Sequence, residues 1–239
     1  MSSYRDPKSL RQRIRLIIFD LDGTLINSMP THAHAFASVI ADRSTGTARD
    51  RKYQEAKDIY LSTAGAPLID QFRRVSATSS DEDLRSKISE FWTQVDDVRF
   101  EGFEDAKPCL EALVELGLEI AVSSGGSQRS VDRKLADASL AEHVVVALGS
   151  DSIQAGQKGL PHFEYIWKVF HPGLPLDVSR IVFVGDTEHD MSLARGLGVL
   201  SAGISRDERL LPRPDLTADI ALEHLTDLPA LIGRPTADG

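Results

Sequence analysis

Three scarcities bound this chain before any motif is read. Its 239 residues include a single cysteine, Cys109. No intrachain disulfide can form, and a reducing compartment, the cytoplasm, is the expected location. Positive charge is short as well: 27 Lys and Arg face 36 Asp and Glu, a formal net charge of −9. That balance argues against a general affinity for nucleic-acid phosphates. It does not exclude a small phosphorylated ligand, because one local cation can reverse the field of a single site. Long apolar runs are also missing. Runs such as residues 16–19 and 181–184 fall far below the roughly 20 that span a bilayer. The basic residues ahead of Arg15 are not followed by the apolar core of a signal peptide. Neither a nucleic acid nor a membrane is an expected partner. Oligomeric state is not legible.

What is present reads as an ordinary globular chain, 41% hydrophobic and 26% charged. Its length permits one large domain or a core with a smaller insert. Residues 14–19 form a short, β-branched apolar run that stops at Asp20. Such even apolarity suits a strand buried on both faces. Residues 118–122, 144–148 and 181–184 resemble it, and 199–202 and 219–222 are weaker strands. Helical spacing appears in Leu110, Leu113, Val114 and Leu116 ahead of Gly117. It recurs in Phe163, Ile166, Trp167 and Phe170 behind Pro161, and over 191–197 ahead of Gly198. Strands alternating with helices predict an α/β fold, a Rossmann-like parallel sheet with right-handed crossovers.

Residues 30–98 break the alternation. They hold no convincing strand, whereas 32–41, 52–61, 67–75 and 82–95 all read as helices. The expected organisation is a core of residues 1–27 and 99–239 with a helical cap, 28–98, inserted after the first strand. The crossings fall near Asn27-Ser28 and at 99–102. The tail from 233 to 239 is expected to fray.

In an open parallel sheet, ligands bind beyond the carboxyl ends of the strands. Asp20 and Asp22 follow the first strand, Ser123-Ser124-Gly125-Gly126 the second, and Gly185-Asp186-Thr187-Glu188-His189-Asp190 the fourth; Lys158 lies in a loop. Several carboxylates at one sheet edge cannot all stay ionised uncompensated. Magnesium, a hard cation that binds a few carboxylates, water and substrate phosphate, resolves the conflict. Ser124 and the amides of the Gly125-Gly126 turn suit phosphate oxygens, and Lys158 adds a positive charge. Together this is the equipment of phosphoryl transfer.

These motifs resemble those of the haloacid dehalogenase superfamily. The likeness is to its phosphatase branch with a helical cap, among phosphoglycolate phosphatases and relatives of β-phosphoglucomutase. Asp20-Leu21-Asp22-Gly23-Thr24-Leu25 matches the first motif, Ser124 the second, Lys158 the third and Gly185-Asp186-Thr187-Glu188-His189-Asp190 the fourth. The order agrees over roughly residues 14–204. The resemblance implies a nucleophile at Asp20, which forms an aspartyl-phosphate, and a general acid and base at Asp22. It implies magnesium held by Asp20, the Asp22 carbonyl and Asp186, with Asp190 steadying the metal's water or Lys158. Thr24, grouped with Ser124, Gly125 and Lys158 on the phosphate side, is expected to position Asp22. The implied substrate is a small phosphorylated metabolite.

Departures and alternatives accompany the match. Asn27 stands where many relatives have Asp. The third motif, Lys158-Gly159-Leu160-Pro161, lacks the usual proline after the lysine, which leaves Lys168 as a second choice. Ser123 replaces Ser124 if the strand is one residue shorter. His32 either sees the site or is a packed helix residue. Arg73 and Arg74 either reach substrate or face solvent. Glu188 and His189 read as rim residues, and Asp81-Glu82-Asp83 as an acidic helix start. The loop Gly65-Ala66-Pro67 resembles one that probes the leaving group. Two other functions share the scaffold: a phosphomutase, against which Thr24 argues, and a non-catalytic protein that binds a phosphorylated ligand.

Overall fold

Alternation of buried side chains on each strand decides the architecture. Among the described residues six strands, β1 Leu16–Phe19, β2 Glu119–Ser123, β3 Val146–Leu148, β4 Ile181–Gly185, β5 Leu200–Ile204 and β6 Ile220–Leu222, form one sheet in the order β3-β2-β1-β4-β5-β6. All neighbours are parallel. In this computed structural model residues 13–42, 44–76, 79–96, 98–152, 154–206 and 217–233 are described. The basic N-terminal segment before Arg13 and the tail after Gly233 lie outside them. Among the described residues no helix is long and apolar enough to cross a membrane.

The sheet buries both faces, which is why its strands read as unbroken apolar runs. Leu16, Ile18, Ala121, Ile181 and Phe183 pack on one side. They meet helices α7 Leu160–Phe170 and α8 Glu188–Leu197 through Phe163, Ile166, Trp167 and Ala194. Ile17, Phe19, Ile120, Val122, Val182 and Val184 pack on the other side. There they meet α5 Ala106–Glu115, α6 Gln128–Asp137 and α9 Leu228–Ile232. On α5 the buried stripe is Ala106, Cys109, Leu110 and Leu113, whereas Val114 is exposed. Cys109 is thus a free core thiol, and burial pushes its pKa up to about 12.

Between β1 and α5 the described residues form four helices and no strand: α1 Met29–Ala41, α2 Gly46–Ser62, α3 Leu68–Val75 and α4 Asp81–Asp96. Pro30 sits in the first turn of α1, where its missing N–H costs nothing. An aromatic cluster binds the four together. The ring centroids of Phe36 and Phe72 are 4.4 Å apart, those of Phe36 and Tyr60 5.2 Å and those of Phe91 and Trp92 4.9 Å. Isolated bridges pair Ile26 with both Asp22 and Gly102, and Asn27 N–H donates to the Glu101 carbonyl, so the two crossings run side by side.

One ion pair ties three distant segments to the loop after β1. Arg206 Nη1 donates to both carboxylate oxygens of Asp105, at 2.8 and 2.7 Å. Its Nη2 donates to the Thr24 carbonyl, and Leu225 N–H donates to Asp105 at 2.8 Å. Burial alone would raise the Asp105 carboxyl, but the hydrogen bonds from Arg206 and Leu225 outweigh it and hold the group below the usual carboxylate range. A depressed folded-state pKa contributes stability above the unfolded value and loses it as pH falls through the folded one. Asp105→Asn is therefore expected to cost about 1–3 kcal/mol at neutral pH. The deficit should shrink below about pH 4. Denaturant titrations of both proteins at neutral and acid pH check this; a deficit independent of pH would assign the loss to packing.

Candidate active site

The chain leaves β1 toward β2 on one side and returns to β4 on the other, so the strand order reverses between β1 and β4. Such a switch point opens a crevice at the strand ends. Asp20 leaves β1 there, its N–H donating to the Val184 carbonyl at 2.8 Å. Asp186 follows β4 directly. The loop after Asp20 is a tight coil in which Leu25 and Ile26 N–H groups return to the Leu21 carbonyl. Gly23 makes it possible. Its φ is +87°, and a Cβ there would lie 2.3 Å from Asp186 Oδ2.

Asp20, Asp186 and Asp190, all buried, offer carboxylate oxygens within 4.8 Å of one another. Lys158 stands among them, its Nζ donating to Asp20 Oδ1 at 2.6 Å and to Asp190 Oδ1 at 2.7 Å. The distant alternative, Lys168, is exposed on α7. Asp190 is committed twice, because its Oδ2 also accepts from Thr187 in the capping box of α8. Asp186 is less satisfied. Oδ1 accepts from Thr24 Oγ1 at 3.0 Å, while Oδ2 is buried and has no hydrogen-bond partner among the described residues. Burial, with the neighbouring charges of Asp190 and Asp20, raises its carboxyl well above the ordinary range. Burial likewise pushes Asp20 up to about 7; Lys158 opposes the rise, and Asp190 and Asp22 add to it. Two crowded carboxylates and an orphaned oxygen are what a hard cation would satisfy, so the donor set fits magnesium.

Thr24 is fully buried against Asp186, not against Asp22 as the sequence led us to expect. Asp22 has other partners. Its Oδ1 accepts from Ser28 Oγ at 2.5 Å and from Lys134 Nζ at 2.5 Å. Burial would raise its carboxyl, but Lys134, the nearby His32 and Ser28 hold it at about 2. Lys134 lies on α6, a helix the apolar pattern does not reveal. The signal that existed was a lysine on the same stripe as Val131 and Leu135, buried with both.

The two serines at the end of β2 divide their work. Ser123 Oγ faces α7 and donates to His162 Nδ1 at 2.8 Å, since His162 Nε2 serves the Gly156 carbonyl. Ser124 lines a cleft of about 510 Å³, together with Gly125, Gly126, Asp20, Asp22, Lys158 and Asp190. Its Oγ accepts from Gly126 N–H at 3.0 Å, which leaves the hydroxyl proton free to donate. The opposite wall comes from the helices between β1 and α5: His32, Tyr60, Gly65, Pro67, Phe91 and Trp92.

The profile of the family described as haloacid dehalogenase-like hydrolases matches residues 17–204. The chain belongs to this family. It is a hydrolase, with the family's parallel six-stranded α/β core. Among curated proteins it is 24% identical over 229 residues to a phosphoglycolate phosphatase of Pectobacterium atrosepticum, covering 94% of each chain. It is 26% identical to a phosphoglycolate phosphatase of Vibrio parahaemolyticus, covering 90% of this chain and 96% of the other. Its fold superposes on the crystal structure of a predicted phosphoglycolate phosphatase of Haemophilus somnus with a TM-score of 0.70. That pair is 20% identical and covers 92% of this chain and 98% of the other.

Other sequence candidates separate by position in this hydrolase. His32 is buried and lines the cleft. Arg73 points away, pairing with Asp70 and Asp81 on the surface, and Arg74 lines a different cavity inside the helical segment. Asp83 N–H donates to Ser80 Oγ at the start of α4, in keeping with an acidic helix terminus. His189 lines the cleft rim. There Gly65, at φ +86°, passes so close that a Cβ would sit 3.0 Å from both His189 Cβ and Thr187 Oγ1.

Proposed function

We propose that this hydrolase cleaves a small phosphate monoester with magnesium, through an aspartyl-phosphate on Asp20, and that it acts in the cytoplasm. One observation carries the reading. Asp20 lies at the switch point of the sheet, with Lys158 at 2.6 Å, an unpartnered oxygen of Asp186 nearby and the Ser124-Gly125-Gly126 turn across the cleft. The phosphatase names of the curated relatives point the same way.

In this proposal Asp20 attacks phosphorus as the ester oxygen leaves, and Asp22, ionised in the free protein, takes up a proton together with the anionic substrate and passes it to that oxygen. In the second half, the Asp22 carboxylate accepts a proton from water while the water oxygen displaces Asp20 from phosphorus. Inorganic phosphate is released, and the proton Asp22 gave is restored. Lys158 and Ser124, with the amides of Gly125 and Gly126, hold the phosphoryl oxygens. Asp20, Asp186 and the Asp22 carbonyl would hold magnesium. Bound there, the ion would neutralise the phosphoryl charge and orient it toward Asp20. Thr24 would act through Asp186, keeping that ligand in place.

Residues 28–98 are proposed as a cap over a core of 1–27 and 99–239. The cap would supply the wall that meets the leaving group and shed bulk water when closed. That wall is aromatic and small in span, which suits a compact organic alcohol rather than a polymer. The test is a panel of phosphorylated metabolites with magnesium, read for free phosphate and for isomerised ester. Phosphate release is the expected result. Isomer without phosphate would indicate a mutase, and no reaction with any ester, aryl phosphates included, would overturn the enzyme reading.

A further inference from the structure

A buried lysine stands where the proposed mechanism has no use for it. Lys134, on α6, is 1% exposed. It does not line the cleft. Its Nζ sits 2.5 Å from Asp22 Oδ1 and 3.2 Å from His32 Nε2, and 4.8 Å from the centroid of Phe100. Each partner belongs to a different segment. Asp22 is on the loop after β1, His32 on α1 just past the first crossing, and Phe100 at the second. Burying an ammonium costs several kcal/mol unless it is paired and hydrogen-bonded, so the arrangement asks for a function that the fold alone does not require.

The geometry at Asp22 supplies one. Ser28 and Lys134 both take Oδ1. Oδ2 is turned the other way, toward the phosphate turn. A Cβ on Gly126 would lie 3.9 Å from Asp22 Oδ2 and 3.4 Å from Ser124 Oγ. Two donors on one oxygen fix the plane of the carboxylate and present its second oxygen to the cleft. Burial, reinforced by Lys134, lowers the His32 pKa to about 4; a neutral imidazole accepts from the lysine and does not compete with it for Asp22.

We infer that Lys134 is a positioning residue for Asp22: it holds one carboxylate oxygen so that the other faces the leaving group, and it ties that orientation to both crossings of the helical segment. Its neighbour Arg133 strengthens the tie, donating to the Val95 and Asp96 carbonyls at the end of α4. The inference rests on the phosphatase reading of this cleft.

A leaving group that departs without a proton needs a well-placed acid far less than an alkoxide does. Lys134→Met keeps the length and apolar stem of the side chain and removes the charge. With an alkyl ester such as glycerol phosphate, kcat is expected to fall about 100-fold. With 4-nitrophenyl phosphate it should fall less than about 10-fold, and KM should change little for either. In Lys134→Ala, a small alkylamine should restore part of the alkyl-ester rate. If the methionine variant does not fold, Lys134→Gln provides the same comparison, with a donor retained and the charge removed. Equal losses on both esters without amine rescue would overturn the inference, as would no loss at all. Failure of the underlying reading looks different: the native protein would then hydrolyse neither ester.

Discussion

Asp20→Asn is expected to abolish ester hydrolysis and, at the same time, to raise the melting temperature of the metal-free protein. The loss follows from the proposed chemistry. An amide cannot serve as the covalent nucleophile, and removing a nucleophile costs roughly 10⁴-fold or more in kcat. The gain follows from crowding. Asp20, Asp186 and Asp190 lie within 4.8 Å of one another, and Lys158 bonds two of them. Without a cation, the Asp20 charge is held in the fold at a cost, which is why burial raises its carboxyl to about 7. An asparagine keeps an acceptor for Lys158 and removes one like charge. Relief of about 1–2 kcal/mol would raise Tm by roughly 2–8 °C for a chain of this size. Steady-state kinetics and thermal unfolding in chelator read the two effects separately. Retained turnover would show that Asp20 is not the nucleophile. A lower Tm would show that its bond to Lys158 outweighs the repulsion.

Magnesium is expected to raise the Tm of the native protein but not that of Asp186→Asn. Oδ2 of Asp186 is buried and has no hydrogen-bond partner among the described residues. Gly23 leaves no room for a side chain that might fill the space beside it. A ligand that binds only the folded state stabilises it by about 2.7 kcal/mol at a hundred times its Kd. Here that corresponds to roughly 5–10 °C. Asparagine at 186 can still accept from Thr24 but offers no charge to the cation. Its magnesium-induced shift should fall below about 2 °C. Its kcat is expected to drop roughly 10³-fold, and chelation should silence the native enzyme. Scanning calorimetry with and without magnesium measures the shift independently of activity. An unshifted native protein, or an equal shift in Asp186→Asn, would remove the metal from this site.

The local part of this architecture was open to reading. Residues 181–184 lie in β4 because an unbroken apolar run can bury both faces, and each helix expected within 30–98 is present. The misreadings have physical causes. The third strand was expected from residue 144 but begins at Val146, because a short 3₁₀ turn, Ala141–His143, precedes it and Val145 is 68% exposed. Helix α6 carries no legible apolar pattern because Val131 and Leu135 are almost its only apolar residues, and Lys134 shares their buried stripe. A lysine on an apolar stripe looks like a solvent-facing residue until a carboxylate from another segment meets it.

The sequence by itself determined the alternating strands and helices, the helical segment after the first strand, and which polar residues stand at the strand ends. Those are local properties, set by apolar periodicity and by where each run stops. Pairing was decided only by the tertiary structure. Thr24 serves Asp186, 162 residues away, and Lys134 reaches Asp22 across 112. Ser124, not Ser123, faces the cleft because consecutive residues leaving a strand point to opposite sides. Which oxygen of a carboxylate is held and which is left free depends on donors that the chain brings together only when the sheet is complete.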